Sequence, residues 1–351
     1  MPQSKFYWRY LKYLLSIILI GIALLVIFSK FKNVYYDIPL LFKEANKSLL
    51  FFLVIFQIIN YLGDGWLSQI LLSIAGFKVN LRDTLKTAIL GVVGNHVAPF
   101  VGGTIITFYS YKKLNIPSAV ISFLVFTWSF FIWVNYFLFF ILSLLLLPSL
   151  FFKFISFKET LIIILGLSLV FAIFFVLFRR RRKYFIWFLN IFSNPINKII
   201  NFLNKRVLLS PHLFEKFISD LHQCFDFLQK NKNKIPKLLF SSFLFYLGDI
   251  LTLYFSFLVF GYHPNFALLI FGYTLSLVLT LFTLIPGIPG VMEASLMVVF
   301  IKIGLPANIV LFASLLFRIF SYWLPLPIGV FSYWRLKKNN IERKGSGFLI
   351  E

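Results

Sequence analysis

Apolar residues in this chain gather into long unbroken runs rather than alternating with polar ones at a strand or surface-helix period. Runs near 13–28, 48–75, 118–147, 160–178, 237–260 and 307–333 approach or exceed the roughly 20 residues with which a helix crosses a bilayer. Two further apolar stretches, 84–110 and 266–303, are broken by Gly and Pro. If 84–110 crossed once, Arg179-Arg180-Arg181-Arg182-Lys183 would fall outside, against the positive-inside rule. Two crossings need about 40 apolar residues, more than this stretch holds. A re-entrant hairpin, entering and leaving on one side, meets both constraints where protein or a wet cavity surrounds its tip. The predicted fold class is an all-α polytopic membrane protein, with about six transmembrane helices and two opposed re-entrant helical hairpins.

Composition removes the water-soluble classes. With 60% hydrophobic and only 13% charged residues, and 48 Phe among 351, too little polar side chain remains to cover a water-facing surface or to keep the chain disordered. Cys224 is the only cysteine, which excludes a disulfide scaffold. A net charge of +22 invites a nucleic-acid reading, but the distribution of the 34 basic residues does not support one. In the hairpin topology 26 lie on cytoplasmic segments, 7 outside, and Arg318 within the bilayer. The charge is thus an orientation signal and an attraction to anionic lipid. The expected location is the cell (cytoplasmic) membrane, multi-pass, with both termini cytoplasmic and no nucleic-acid partner. The run 13–28 follows Lys5, Arg9 and Lys12 without a small-x-small cleavage site, so it reads as an uncleaved span. Residues 184–236 form a cytoplasmic amphipathic segment; Cys224 falls on its apolar stripe, where a reactive thiol is not expected.

An internal repeat organises the rest. Tyr61-Leu62-Gly63-Asp64 recurs as Tyr246-Leu247-Gly248-Asp249, followed at equal distance by Gly76 and Gly261, then Asn80 and Asn265. After a two-residue slip, Pro99-Phe100-Val101-Gly102-Gly103 matches Pro286-Gly287-Ile288-Pro289-Gly290, and Lys113 to Pro117 matches Lys302 to Pro306. Landmarks in the same order over this distance indicate duplication. The division is a first span and outer loop (1–47), repeat 1 (48–148), a linking span (149–183), the cytoplasmic segment (184–236), repeat 2 (237–338) and a tail (339–351). Because an odd number of crossings separates the copies, they have opposite orientation, the pattern that points to a transporter-like site at the broken segments. The alternative is that the Gly and Pro residues are ordinary kinks and close-packing points.

Few ionisable groups fall at membrane depth: Asp64, His96, Asp249, Glu293 and Arg318, each a functional candidate because such groups are costly there. Asp64 and Asp249 either line a path or accept backbone N–H groups freed at the hairpin tips. Arg318 either pairs with Glu293 or holds a phosphate bidentately. Asn95, His96, Pro99, Gly103, Pro286 and Gly290 belong to the broken segments. No second histidine or acid follows His96 at ligand spacing, so it reads as a polar tip residue and not a metal ligand. No P-loop, dinucleotide fingerprint or hydrolase elbow is present, so no cofactor is expected.

The stretch Gly94-Asn95-His96-Val97-Ala98-Pro99 with Gly102-Gly103 resembles the N-x-x-P-x-x-x-G segment of the lysylphosphatidylglycerol synthase transmembrane-region family, also called flippase-like domain proteins. Pro286 to Glu293 is similar to that family's P-x-x-x-G-x-x-E segment, and Arg318 with Pro325 and Gly329 to its terminal helix. Pro289-Gly290 stands where many relatives have paired glycines. The resemblance implies a domain that moves a lipid headgroup between leaflets, with membrane lipids as partners. The expected form is stand-alone, since the chain continues only briefly past the last span and carries no transferase domain. The rival reading is a non-transporting partner or scaffold for a separate lipid-modifying or glycosyltransferase enzyme.

Overall fold

Four apolar helices long enough to cross a membrane dominate the structure: Lys47–Ile74, Ser118–Leu146, Lys232–Val259 and Ala307–Ser332. The computed structural model describes residues 43–97, 101–147, 219–281 (except 221, 222 and 225), 290–332 and 334. The predicted spans 13–28 and 160–178, most of 184–236, Pro99, Pro286 and the tail lie outside the described residues. Among the described residues all regular structure is helical. The helices are α1 (Leu50–Ile74), α2 (Leu81–Val97), α3 (Gly102–Lys112), α4 (Ser118–Leu146), α5 (Ile235–Val259), α6 (Phe266–Leu281), α7 (Val291–Lys302) and α8 (Ala307–Arg318), which runs on through a π turn at Ile319–Trp323.

Helix lengths of 25, 17, 11 and 29 residues in the first half are followed by 25, 16 and 12 residues and a 26-residue span in the second. The ends match as well. α1 and α5 close on Gly76 (φ 88°) and Gly261 (φ 72°), in the left-handed region that glycine adopts at least cost. Phe77 N–H donates to Leu72 O at 2.9 Å and Tyr262 N–H to Phe257 O at 3.2 Å, the bonds that satisfy the last carbonyls of each helix. The equivalent turns before α4 and α8 use Asn115 (φ 58°) and Gly304 (φ 103°).

The most extensive helix contact joins α1 to α5, and it is reciprocal. A Cβ on Gly63 would stand 2.5 Å from Phe245 N and 2.7 Å from Ser241 O; one on Gly248 would stand 2.6 Å from both Asn60 N and Phe56 O. The pairing runs antiparallel, with Asn46 N–H donating to Val259 O at one end and Gln57 Nε2 donating to Thr252 Oγ1 in the middle. Hydrocarbon provides no hydrophobic drive between apolar helices, so small residues and interhelical hydrogen bonds hold such seams. Asn60 Nδ2 donates to Phe245 O at 2.7 Å, and Asn135 Nδ2 on α4 to Ser242 Oγ at 2.6 Å. Large apolar side chains such as Phe51 and Leu145 point outward, 67% and 73% exposed.

Each half also holds a helical hairpin. In the first, α2 and α3 run back on each other with Gly94 against the backbone of Gly102 and Gly103. In the second, Ser276 Oγ donates to Ser295 O and Thr280 Oγ1 to Ser295 Oγ, tying α6 to α7. Of the segment 184–236, the described residues between 219 and 230 are helical, and Cys224 is buried against the bundle core. Burial, then the neighbouring Asp220 carboxylate, pushes its thiol up to about 11, in keeping with an unreactive side chain.

Candidate functional site: a polar cavity among the broken helices

A cavity of about 550 Å³ lies where the two halves meet, and every one of the eight helices contributes to its wall. On α1 the helical period aligns Asn60, Tyr61, Asp64 and Ser68 on one face, and that face lines the cavity. From α5 comes Asp249, from α2 Thr87 and Asn95, from α3 Gly103 and Tyr111, and from α8 Arg318, Ser321 and Tyr322. Five of the sequence-derived candidates, Asp64, Asn95, Gly103, Asp249 and Arg318, therefore share one space.

The aspartates sit in the middle of α1 and α5. Asp64 Oδ1 accepts a 2.7 Å bond from Trp128 Nε1 of α4, and Asp249 Oδ2 a 2.9 Å bond from the Tyr273 hydroxyl of α6. Among the described residues the partners are thus side chains, the aromatic Trp128 and Tyr273 of facing helices, with Gln57 of α1 beside Asp249. Trp128 and Tyr273 were not among the sequence-derived candidates, because both lie in apolar runs where an aromatic ring reads as packing. The available signal was the polar edge of each ring, which needs a partner when buried.

Asn95 holds the first hairpin together. Its Oδ1 accepts the Gly103 N–H at 2.8 Å, and a Cβ on Gly103 would stand 2.7 Å from that same oxygen. His96 is not itself part of the cavity wall. Its Nδ1 donates to Val92 O at 2.8 Å, which makes Nε2 the acceptor, and its ring stacks on Tyr322 with centroids 3.6 Å apart.

Glu293 joins three elements of the second half. One oxygen, Oε2, accepts the Gly290 N–H at 2.8 Å, capping α7 where Gly290 (φ 97°) turns the chain into the helix. The other, Oε1, accepts Arg318 Nε at 3.1 Å, with both side chains largely buried. The pair anticipated as one of two roles for Arg318 is therefore formed. It uses only the Nε edge: among the described residues the Nη groups donate to nothing, and the guanidinium packs over Tyr322 at 4.5 Å.

The π turn follows from the sequence beyond it. Pro325 has no N–H to offer the Ser321 carbonyl and would clash with it in a regular helix, so the helix widens and Leu324 N–H reaches back to Ile319 O at 2.7 Å. The Ser321 carbonyl is left facing the Tyr61 hydroxyl at 3.5 Å. A break in the backbone pattern thus falls on the cavity wall beside Arg318.

The sequence profile of the family described as the lysylphosphatidylglycerol synthase TM region matches residues 13–329. A UPF0104 membrane protein of Pyrococcus horikoshii is 26% identical over 178 residues, 49% of this chain and 52% of that protein, so this chain spans about half the length of the curated relative it matches. With the match extending from the first predicted span to within the last membrane-length helix, Ala307–Ser332, the chain belongs to the lysylphosphatidylglycerol synthase transmembrane-region family.

Proposed function

We propose that this protein is a flippase-like lipid translocase that passes the headgroup of a phospholipid or polyprenyl-linked lipid between leaflets. The observation that carries this reading is the cavity: a polar space at the meeting of eight otherwise apolar helices, holding two aspartates and an arginine with donors to spare. A headgroup crosses through that space while its acyl chains stay in the surrounding lipid. Asp64, Asn95, Asp249 and Arg318 line the path; Glu293 and His96 support it from behind through Arg318 and Tyr322. The second candidate role of Arg318 is compatible with the first, since Glu293 occupies one edge of the guanidinium and a phosphate takes the other.

In this reading α2–α3 and α6–α7 are re-entrant hairpins entering from opposite faces of the cell membrane, and the halves are inverted repeats. The antiparallel, reciprocal α1–α5 seam supports that arrangement, because it is the contact that a two-fold axis in the membrane plane produces.

The test is reconstitution into liposomes with a panel of fluorescent lipids and a membrane-impermeant quencher that reports leaflet exchange. The purified protein accelerates exchange of at least one headgroup class over protein-free vesicles. Arg318→Lys retains the charge but not the planar fork, and slows that exchange by about tenfold or more, the equivalent of one charge-assisted hydrogen bond. No acceleration for any lipid in the panel overturns the reading.

A further inference from the structure

We infer that Asp64 and Asp249 form a binding site for one monovalent cation, a proton or a sodium ion, within the cavity. Among the described residues the ion pairs are Arg318–Glu293 and the surface pair Lys86–Asp83, so neither aspartate forms an ion pair; Arg318 acts on Asp249 only from a distance. Each is met by neutral donors, an indole for Asp64 and a phenol with the Gln57 amide for Asp249. Arg318, the one cation on the cavity wall among the described residues, already answers the Glu293 carboxylate. Full ionisation would leave two uncompensated negative charges in a wall made otherwise of apolar helices.

The two carboxylates line the same cavity of about 550 Å³, so the charge of each bears on the other. Like charges in a poorly solvated space do not both ionise unless a counter-charge enters. Among the described residues, the groups facing them supply only the charge of Arg318, which Glu293 already shares. α1, α3, α4, α5 and α6 present the phenols of Tyr61, Tyr111, Tyr136, Tyr246 and Tyr273, neutral at physiological pH. α2 lines the cavity with Thr87, Ala88, Gly91, Val92 and Asn95, none of them ionisable; α7 brings only the paired Glu293, and α8 only Arg318 and Tyr322. The missing positive charge therefore comes from solution.

A second observation, independent of the carboxylates, marks the same space as one that takes a polar occupant. Tyr322 lines the cavity and is 8% exposed, yet its hydroxyl has no hydrogen-bond partner among the described residues. The placement of the pair adds a mechanical meaning: one carboxylate comes from each half, on antiparallel helices, so movement of one half against the other changes their separation and with it the affinity for the shared cation. That last step, coupling the cation to lipid movement, rests on the translocase reading; the cation site does not.

Difference infrared spectroscopy of the full-length reconstituted protein separates the outcomes. Asparagine preserves shape and an acceptor for Trp128 or Tyr273, so Asp64→Asn and Asp249→Asn are the variants of choice. For a proton, the wild type shows a protonated-carboxyl stretch at neutral pH that is lost on alkalinisation, and at least one variant lacks it. For sodium, the band is absent, and adding sodium in place of choline shifts the carboxylate bands of the wild type but not of the double variant. A wild type with both carboxylates ionised and indifferent to sodium overturns the proposal, whatever the lipid assay gives. In the liposome assay an imposed gradient of the identified cation accelerates exchange severalfold in the wild type and leaves Asp64→Asn/Asp249→Asn unchanged; exchange indifferent to the gradient removes the coupling and leaves the site.

Discussion

Glu293 illustrates how much one side chain can organise when it is buried among charges and bare backbone. It caps α7 through Gly290 and neutralises Arg318 on α8, so its loss releases a helix end and strands a cation together. Replacing either partner alone costs about 3 kcal/mol, because the other is left charged and poorly solvated. The double variant Glu293→Ala/Arg318→Ala recovers part of that loss but not all, since the Gly290 N–H remains without its acceptor. Thermal unfolding in detergent of the two single variants and the double one checks this: additive losses would show that the ion pair contributes nothing to stability. The pair was legible in the sequence because both members are ionisable and stand within apolar runs. Trp128 and Tyr273 were not, because a period-based reading cannot say which ring edge meets a carboxylate on a distant helix.

At the level of helices, the paired glycines decide how closely the two halves approach. Backbone atoms, which cannot rotate aside, stand where a side chain at Gly63 or Gly248 would go. Gly63→Ala and Gly248→Ala should each destabilise by about 2 kcal/mol, the usual cost of overpacking a tight contact. Gly91→Ala provides the contrast, because its nearest neighbour, Thr107 Oγ1, is 3.8 Å from the added Cβ and alanine favours the helix. Equal melting temperatures for all three variants would contradict the seam. The recurrence of Tyr-Leu-Gly-Asp was readable as a duplication; that each glycine receives the backbone of the other copy was not, since repeats reveal likeness and not contact. The π turn was similarly hidden: Pro325 announces a disturbance, but whether a helix kinks, ends or widens depends on what packs beside it.

On the scale of the whole molecule, the long apolar runs from 48–75 onward that fall in the described residues became the four membrane-length helices, and the Gly/Pro-broken stretches became helical hairpins. Length and hydropathy suffice for that, because a spanning segment has few alternatives. Sidedness is a separate matter and has its own measurement. Single cysteines at Asn80 and Lys112, in a Cys224→Ser background, should both label from the cytoplasm, and those at Asn265 and Lys302 from outside; labelling of Asn80 and Lys112 from different sides would defeat the hairpin topology. The α1–α5 seam explains why this orientation needs a cause outside the contact itself. Each helix offers its partner what it receives, so the interface is indifferent to exchanging the two halves, as the face of a symmetric dimer would be. A bundle joined this way holds together equally well upside down. In the proposed topology what breaks the tie is remote from the seam: 13 Lys and Arg residues between 179 and 237, a block of charge that by the positive-inside rule would hold its end of the bundle at the cytoplasmic leaflet and give a contact without direction an inside and an outside.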